Sequence, residues 1–211
     1  MLKKKQLKIV LLGPQGSGKG TQAGLISEHY SLPHISTGDI FRDHISKNTE
    51  LGIKIKKIIN QGLLVPDEIT NEIIRQRLSR QDCKNGFILD GFPRNLNQAK
   101  SLDSFDKVTH ALNIVISDDE AVRRISSRLT CRNCGAVYSK SDSLDKCPKC
   151  GGELYTRDDD SPEAVKKRLS IYHKETEPII EFYKEKSILF TVNGERPVKE
   201  IFDDIRHILD S

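Results

Sequence analysis

Lys8-Ile9-Val10-Leu11-Leu12-Gly13-Pro14-Gln15-Gly16-Ser17-Gly18-Lys19-Gly20-Thr21 is the stretch that decides the fold. It opens as an apolar run of strand length, and Gln22–His29 after it carries a helical pattern. A buried strand, a glycine-rich turn and a helix start are the setting a phosphate-binding loop requires. Glycines let successive backbone N–H groups point inward, and the helix N-terminus adds positive potential. Lys19, placed after Gly-x4-Gly, supplies a point charge for β- and γ-phosphates. That lysine disfavours the plainer alternative, a strand-to-helix turn with no ligand. Gly20 stands where Ser or Thr usually follows the lysine, and the hydroxyl arrives one residue later at Thr21. Direct Mg2+ ligation by the loop is weakened accordingly. No Asn-Lys-x-Asp base-reading motif follows, which argues against a GTPase.

Outward from the loop, three more Ile/Val/Leu-rich runs read as buried parallel strands: Phe87–Asp90, Leu112–Ile116 and Ile188–Val192. Leu32–Ser36 is a weaker fifth. Asp67 precedes a helical Glu68–Leu78 in which Ile69, Ile73, Ile74 and Leu78 share one face. Ser161-Pro162-Glu163 sets a capping hydroxyl before a first-turn proline, and that helix is expected to reach Tyr183. Strands alternating with helices predict an α/β fold, a doubly wound five-stranded parallel sheet. Two stretches interrupt the alternation. Thr37–Val65 holds two short helical patterns with Gly38, Gly52 and Gly62, and Cys131–Asp160 is polar and turn-rich. Both read as insertions on the α/β core.

The chain has 211 residues, 30% charged and 36% hydrophobic, with net charge +4. That is an ordinary globular composition, and the charge is too mild to argue for nucleic acid by itself. No apolar run approaches the ~20 residues of a membrane span, so no membrane partner is expected. Met1–Lys5 is basic, but no small-residue cleavage site follows, so a secretory signal is not expected and the location reads as cytoplasmic. Four of the five cysteines form two pairs, Cys131-x2-Cys134 and Cys147-x2-Cys150, with twelve residues between them. In a reducing compartment this spacing reads as a four-thiolate metal site, structural because no coordination position stays open. Zn2+ is favoured, and Fe remains chemically admissible. Cys83 stands alone and reads as a small buried hydrophobe. A zinc ribbon can also bind nucleic acid, and Lys140, Lys146 and Lys149 suit that role. Against it, Tyr138 is the one aromatic between Cys131 and Gly152.

Gly13-x4-Gly18-Lys19-Gly20-Thr21, Ser36-Thr37-Gly38-Asp39 and Asp90-Gly91-Phe92-Pro93-Arg94, in this order, resemble the adenylate kinases of the long-lid type with a four-cysteine lid. The resemblance covers nearly the whole chain. It implies a core over 1–35, 66–126 and 161–211, a monophosphate-binding insertion over 36–65 and a lid over 127–160. The implied reaction is reversible, ATP + AMP = 2 ADP, by a monomer. Gly16, Ser17, Gly18, Lys19, Gly20, Thr21, Arg124, Arg128, Val137, Tyr138 and Arg196 are similar to the family's ATP contacts. Thr37, Arg42, Leu63, Leu64, Val65, Gly91, Phe92, Pro93, Arg94 and Gln98 are similar to its AMP contacts, together with Arg157 and Arg168. Lys19, Arg94, Arg128, Arg157 and Arg168 resemble the catalytic cations, and Asp90 the Mg2+-associated carboxylate. Two departures stand out. Gln15 occupies a position usually filled by Pro or another small residue, and Ser139–Leu144 replaces a His and aromatic-proline stretch. A kinase acting on UMP or CMP, or a phosphate-loop module whose ribbon binds RNA or a protein, are the alternatives.

Overall fold

The computed structural model describes residues 6–61 and 63–211 apart from the side chain of Asp158, so Met1–Lys5, Gly62 and that side chain lie outside the described residues. Strand β1 (Leu7–Leu12) runs into the phosphate loop and helix α1 (Lys19–Tyr30). After β2 (His34–Ser36) come α2 (Thr37–Ser46), α3 (Glu50–Asn60) and α4 (Asp67–Leu78). Next are β3 (Gly86–Asp90), α5 (Leu96–Phe105), β4 (His110–Val115) and α6 (Asp118–Ser126). Three short strands follow, β5 (Arg128–Cys131), β6 (Val137–Ser139) and β7 (Leu154–Tyr155). The chain closes with α7 (Pro162–Ile171), α8 (Glu177–Glu185), β8 (Leu189–Asn193) and α9 (Val198–Asp210).

All five expected core strands form, in the order β2-β3-β1-β4-β8 and all parallel. The central strand is apolar on both sides because helices cover both faces of the sheet. Ile9 and Leu11 pack with Ala23 and Ile26 of α1 and with Ile201 and Ile205 of α9. Val10 and Leu12 pack with Ile74, Ala99 and Ile179 from α4, α5 and α8. The chain reverses its direction of winding between β1 and β4, and the phosphate loop leaves the sheet there. Ligands of doubly wound sheets bind at that crevice.

Three expectations change. Asp67 does not cap α4: it is the first helical residue, Pro66 holds the cap position, and no side chain bonds the free N–H groups. The apolar face of α4 serves two cores. Ile74 and Leu78 join the main sheet core, whereas Ile69 and Ile73 close a separate cluster around Phe41, Ile55 and Val65. The insertion after β2 thus has its own small core, roofed by α4. Second, Cys131–Asp160 is more than turns, because β5, β6 and β7 form a three-stranded antiparallel sheet. These strands are two to four residues long and only partly buried, too short for an alternation to show. Third, the helix capped by Ser161, whose side chain accepts from the Ala164 N–H, runs beyond Tyr183 to Glu185 but widens to a π-turn at Tyr172–Thr176. Pro178 sits just after that turn and has no N–H to give back to it, which favours the irregularity.

Candidate active site

The phosphate loop is held open by its glycines. Gly13 has φ 132°, and a Cβ there would lie 2.2 Å from the Ile114 carbonyl oxygen. Gly18 caps α1 with φ 92° and no side chain of its own, so the first-turn N–H groups stay free for an anion. Lys19 Nζ donates to the carbonyls of Gly13 (2.8 Å) and Pro14 (2.7 Å). Burial lowers its pKa to about 8, with Arg94, Arg168 and Arg128 pressing the same way and Asp90 opposing. Asp90 ends β3 against this loop, since a Cβ at Gly20 would stand 3.5 Å from its Oδ2. Burial alone would raise the Asp90 carboxyl. His34, 3.5 Å away, together with Lys19 and Arg94, outweighs that and holds it below the usual value. An ionised oxygen donor beside a phosphate loop suits Mg2+.

Across from the loop lies a cleft. Thr37, Arg42, Leu63, Leu64, Val65, Gly91, Arg94, Gln98 and Arg168 line it, which is most of the expected acceptor set. Ser36 caps α2 through the Asp39 N–H, so Thr37 enters the cleft from the first turn of a fixed helix. The Thr37 hydroxyl donates to the Gly91 carbonyl (2.9 Å), leaving its lone pairs to accept. Phe92 is fully buried and belongs to the sheet core, and neither it nor Pro93 lines the cleft, contrary to their place in the expected acceptor set. Thr176 of the π-turn donates to the Arg94 carbonyl at 2.8 Å, tying that irregularity to the site.

The arginines divide by their partners. Arg42 pairs with Asp39, Arg128 with Asp160, and Arg168 with Asp159 and Asp160. Arg94 and Arg157 have no carboxylate within ion-pair distance among the described residues; Arg94 Nε donates to the Gly91 carbonyl and Arg157 Nε to Thr130 Oγ1. Burial first, then Arg168 and Arg42, lowers the Arg94 pKa to about 10. Arg157 is lowered to about 10 by burial and then by Arg42 and Arg128. Concentrated, poorly compensated positive charge is costly without an anion and is therefore a binding site for a polyanion.

On the far side of the loop, Arg124 bonds Glu120 (2.5 Å) and Arg196 bonds Asp204. Val137 is exposed on the lid sheet. The Tyr138 hydroxyl is taken by Cys147 Sγ at 3.2 Å, so its free surface is the ring.

The four lid cysteines converge, with all Sγ atoms within 4.8 Å of one another. Cys131 and Cys150 sulfurs are 3.5 Å apart, those of Cys134 and Cys147 3.6 Å. A tetrahedron of Zn–S bonds of about 2.3 Å has edges near these values. Gly135 (φ 71°) and Gly151 (φ 70°) turn the chain back after each pair. At Cys147 burial opposes ionisation, but the Tyr138 hydroxyl and the Cys150 and Lys149 N–H groups outweigh it and bring the thiol to about 6. The Cys134 N–H likewise lowers Cys131. Cys131 and Cys147 are thus biased toward the thiolate form, whereas at Cys150 the Gly152 N–H is outweighed by the neighbouring cysteines and burial, which raise it to about 12; the converging cluster can hold a metal ion. Cys83 is buried in the sheet core as expected.

A family model described as adenylate kinase matches residues 11–188. The adenylate kinase of Archaeoglobus fulgidus is 47% identical over 215 residues, covering 97% of this chain and 98% of its own. The adenylate kinase of Acetivibrio thermocellus is 49% identical over 212 residues, covering 96% and 98%. The chain belongs to the adenylate kinase family. As an adenylate kinase it catalyses reversible phosphoryl transfer between ATP and AMP, and enzymes of this family use Mg2+ with ATP. No helix among the described residues is long and apolar enough to cross a membrane.

Some features of this adenylate kinase site escaped the sequence reading. Asp159 and Asp160 partner its arginines, yet a run of acidic residues looks like a solvated loop. Gln15 lines the same cleft, with Nε2 3.5 Å from the Arg168 carbonyl and a buried Oε1 that has no partner among the described residues. Its departure from the family pattern was the available signal. Tyr155, a second lid aromatic, lies under the Arg132 guanidinium at 4.3 Å.

Proposed function

We propose that the acceptor AMP occupies the cleft lined by Thr37 and Gln98, with its phosphate held by Arg42 and Arg94 and its adenine edge read by Thr37, Gln98 and the Leu63–Val65 backbone. The observation that carries this reading is the half-buried Arg94 guanidinium, which lines that cleft with no carboxylate at ion-pair distance among the described residues. ATP lies with its phosphates on Gly16–Thr21 and Lys19. Its base sits between Arg124 and Arg196, and Val137 and Tyr138 cover it from the lid. The bond from the γ-phosphorus to the β–γ bridging oxygen breaks as an AMP phosphate oxygen takes up the phosphoryl group. Lys19, Arg128, Arg157 and Arg168 stabilise the charge spread over the transferring group, where positioning and electrostatics supply most of the catalysis. Mg2+ neutralises the ATP phosphates when bound, and Asp90 holds it in place. Residues 36–65 and 127–160 close over a core of 1–35, 66–126 and 161–211, keeping water from the γ-phosphate. The enzyme is a monomer of the cytoplasm, a compartment that keeps the four lid thiols reduced.

The test is ADP formation with a panel of monophosphates. AMP is expected to be used far faster than GMP, UMP or CMP, and Gln98→Ala to relax that preference more than it lowers the maximal rate. Equal rates with UMP and AMP overturn the acceptor assignment.

Zn2+ at Cys131, Cys134, Cys147 and Cys150 supports the lid and takes no part in the chemistry, because four protein ligands leave no position for phosphate or water. Stripping the metal with a strong chelator removes a link between binding and local folding. A loss of ~3 kcal/mol lowers the melting temperature by ~6–12 °C in a chain of this size. Turnover measured with excess Mg2+ below that temperature is expected to fall only moderately, about tenfold at most. Complete loss in a still-folded protein, restored by zinc alone, means that the metal is catalytic.

A further inference from the structure

We propose that Asp67, which makes no expected contact with either nucleotide, sets the acceptor base by fixing which way round the Gln98 amide is held. This rests on the reading that Gln98 faces the acceptor's purine. Gln98 lies in the first turn of α5, is 2% exposed and lines the acceptor cleft. Its Oε1 accepts the Arg94 backbone N–H at 2.7 Å, and its Nε2 donates to Asp67 Oδ1 at 2.8 Å. The same Asp67 oxygen accepts from Nδ2 of Asn95, the α5 cap, at 2.8 Å.

A glutamine amide has two N–H donors and two acceptor lone pairs. One of each is spent on the protein here, so one donor and one acceptor remain for a ligand, and their order is fixed. Rotating the amide by half a turn would set its NH2 against the Arg94 N–H and its oxygen against the Asp67 carboxylate. That puts donor on donor and acceptor on acceptor inside a buried site.

The order decides which purine fits. Adenine offers an acceptor at N1 beside a donor amine at C6, whereas guanine and hypoxanthine offer a donor N1–H beside an acceptor oxygen. An amide free to turn over can read either edge; a locked one reads a single edge. A backbone N–H cannot be changed by a side-chain substitution, so Asp67 is the part of the lock that sequence controls. A carboxylate at this place has no donor to offer, and an asparagine could rotate its own amide and accept both orientations. Asp67 is therefore a positioning residue for specificity. It opens α4 two residues after Val65, so the cleft wall and the base reader are joined at this point.

The decisive experiment compares kcat/KM for AMP, GMP and IMP at saturating ATP in the unmodified enzyme, in Asp67→Asn and in Asn95→Ser. Asn95→Ser keeps a capping oxygen and leaves the Asp67–Gln98 bond in place. In Asp67→Asn the preference for AMP over GMP and IMP is expected to shrink about tenfold or more, through a higher KM for AMP and a lower one for the 6-oxo purines, with kcat for AMP nearly unchanged. Asn95→Ser is expected to lower the melting temperature and leave the preference intact. A folded Asp67→Asn with unaltered preference overturns the proposal, as does an equal loss for all three acceptors, the mark of a purely structural role. A second measurement needs no variant. In protein labelled with 15N-glutamine, without nucleotide, one Gln98 side-chain proton should exchange with water far more slowly than those of the exposed Gln61 and Gln81. Equal exchange overturns the lock. If the unmodified enzyme uses GMP as readily as AMP, the assignment of Gln98 to the base fails instead, a separate result.

Discussion

Lys19→Met abolishes phosphoryl transfer: the expected loss in kcat is at least ~10³-fold, about 4 kcal/mol of barrier at 1.4 kcal/mol per tenfold. The ammonium is already at the place it is needed, resting on the Gly13 and Pro14 carbonyls at the mouth of the loop. Methionine has a similar length and no charge, so the loop keeps its shape while the β- and γ-phosphates lose their closest cation. The same residue predicts a pH dependence. Burial brings the pKa of Lys19 in the nucleotide-free protein down to about 8, below the ordinary 10.5. The folded state therefore binds this proton less tightly than the unfolded chain. Lysine burial weakens the native state below about pH 8, and that penalty fades as pH rises toward the unfolded value. Bound triphosphate raises the pKa again. Hence kcat/KM for ATP falls above about pH 8, while kcat, which reports the bound complex, holds to higher pH. A Lys19→Met enzyme retaining a tenth of the normal rate, or a flat kcat/KM profile to pH 10, contradicts this role.

Arg94→Ala is expected to raise the KM for AMP ~10²-fold and to lower kcat ~10-fold, together about 4 kcal/mol in kcat/KM. Affinity for a non-hydrolysable ATP analogue should be nearly intact. Stability should move the other way. Arg94 is half-buried and crowded by Arg168 and Arg42; Asp90 and Asp159 offset part of that without an ion-pair contact, and Asp90 keeps His34 and Lys19 when Arg94 is removed. What is lost is the bond to the Gly91 carbonyl at 2.8 Å. That bond contributes ~1 kcal/mol, and relief of like-charge crowding at a buried site is of at least similar size. The nucleotide-free variant should therefore melt no lower than the unmodified protein. A clear drop in melting temperature, or equal weakening of ATP and AMP, contradicts the placement of Arg94 in the acceptor cleft. Such a trade of stability for function is common where a site must hold charge ready for a ligand.

Features set by near neighbours along the chain were legible in residue order. The β1 run, the glycines of the phosphate loop and Lys19 lie within a dozen residues, and their geometry depends on little else. Ser161 before Pro162 capped its helix as expected, and each Cys-x2-Cys pair forms its own turn. The placement of Thr37, Arg42, Arg94 and Gln98 on one cleft was also anticipated, but by resemblance to a family rather than by any local pattern.

By itself, then, the sequence determined the nucleating loop, the alternation that winds the sheet, the Ser161 cap and the turn of each Cys-x2-Cys pair, because each rests on torsions and hydrogen bonds spanning a few residues. Only the tertiary structure decided the rest. It split the α4 face between two cores, widened the helix at Tyr172–Thr176 and set Asp160 against Arg128 thirty-two positions away. It also brought Asp67 to Gln98 across thirty-one positions, which turns an ambivalent amide into a directional one. The partner of a buried polar or charged group is whichever group folding carries to it, and the cost of leaving such a group unpaired enforces the match. No periodicity along the chain records that match.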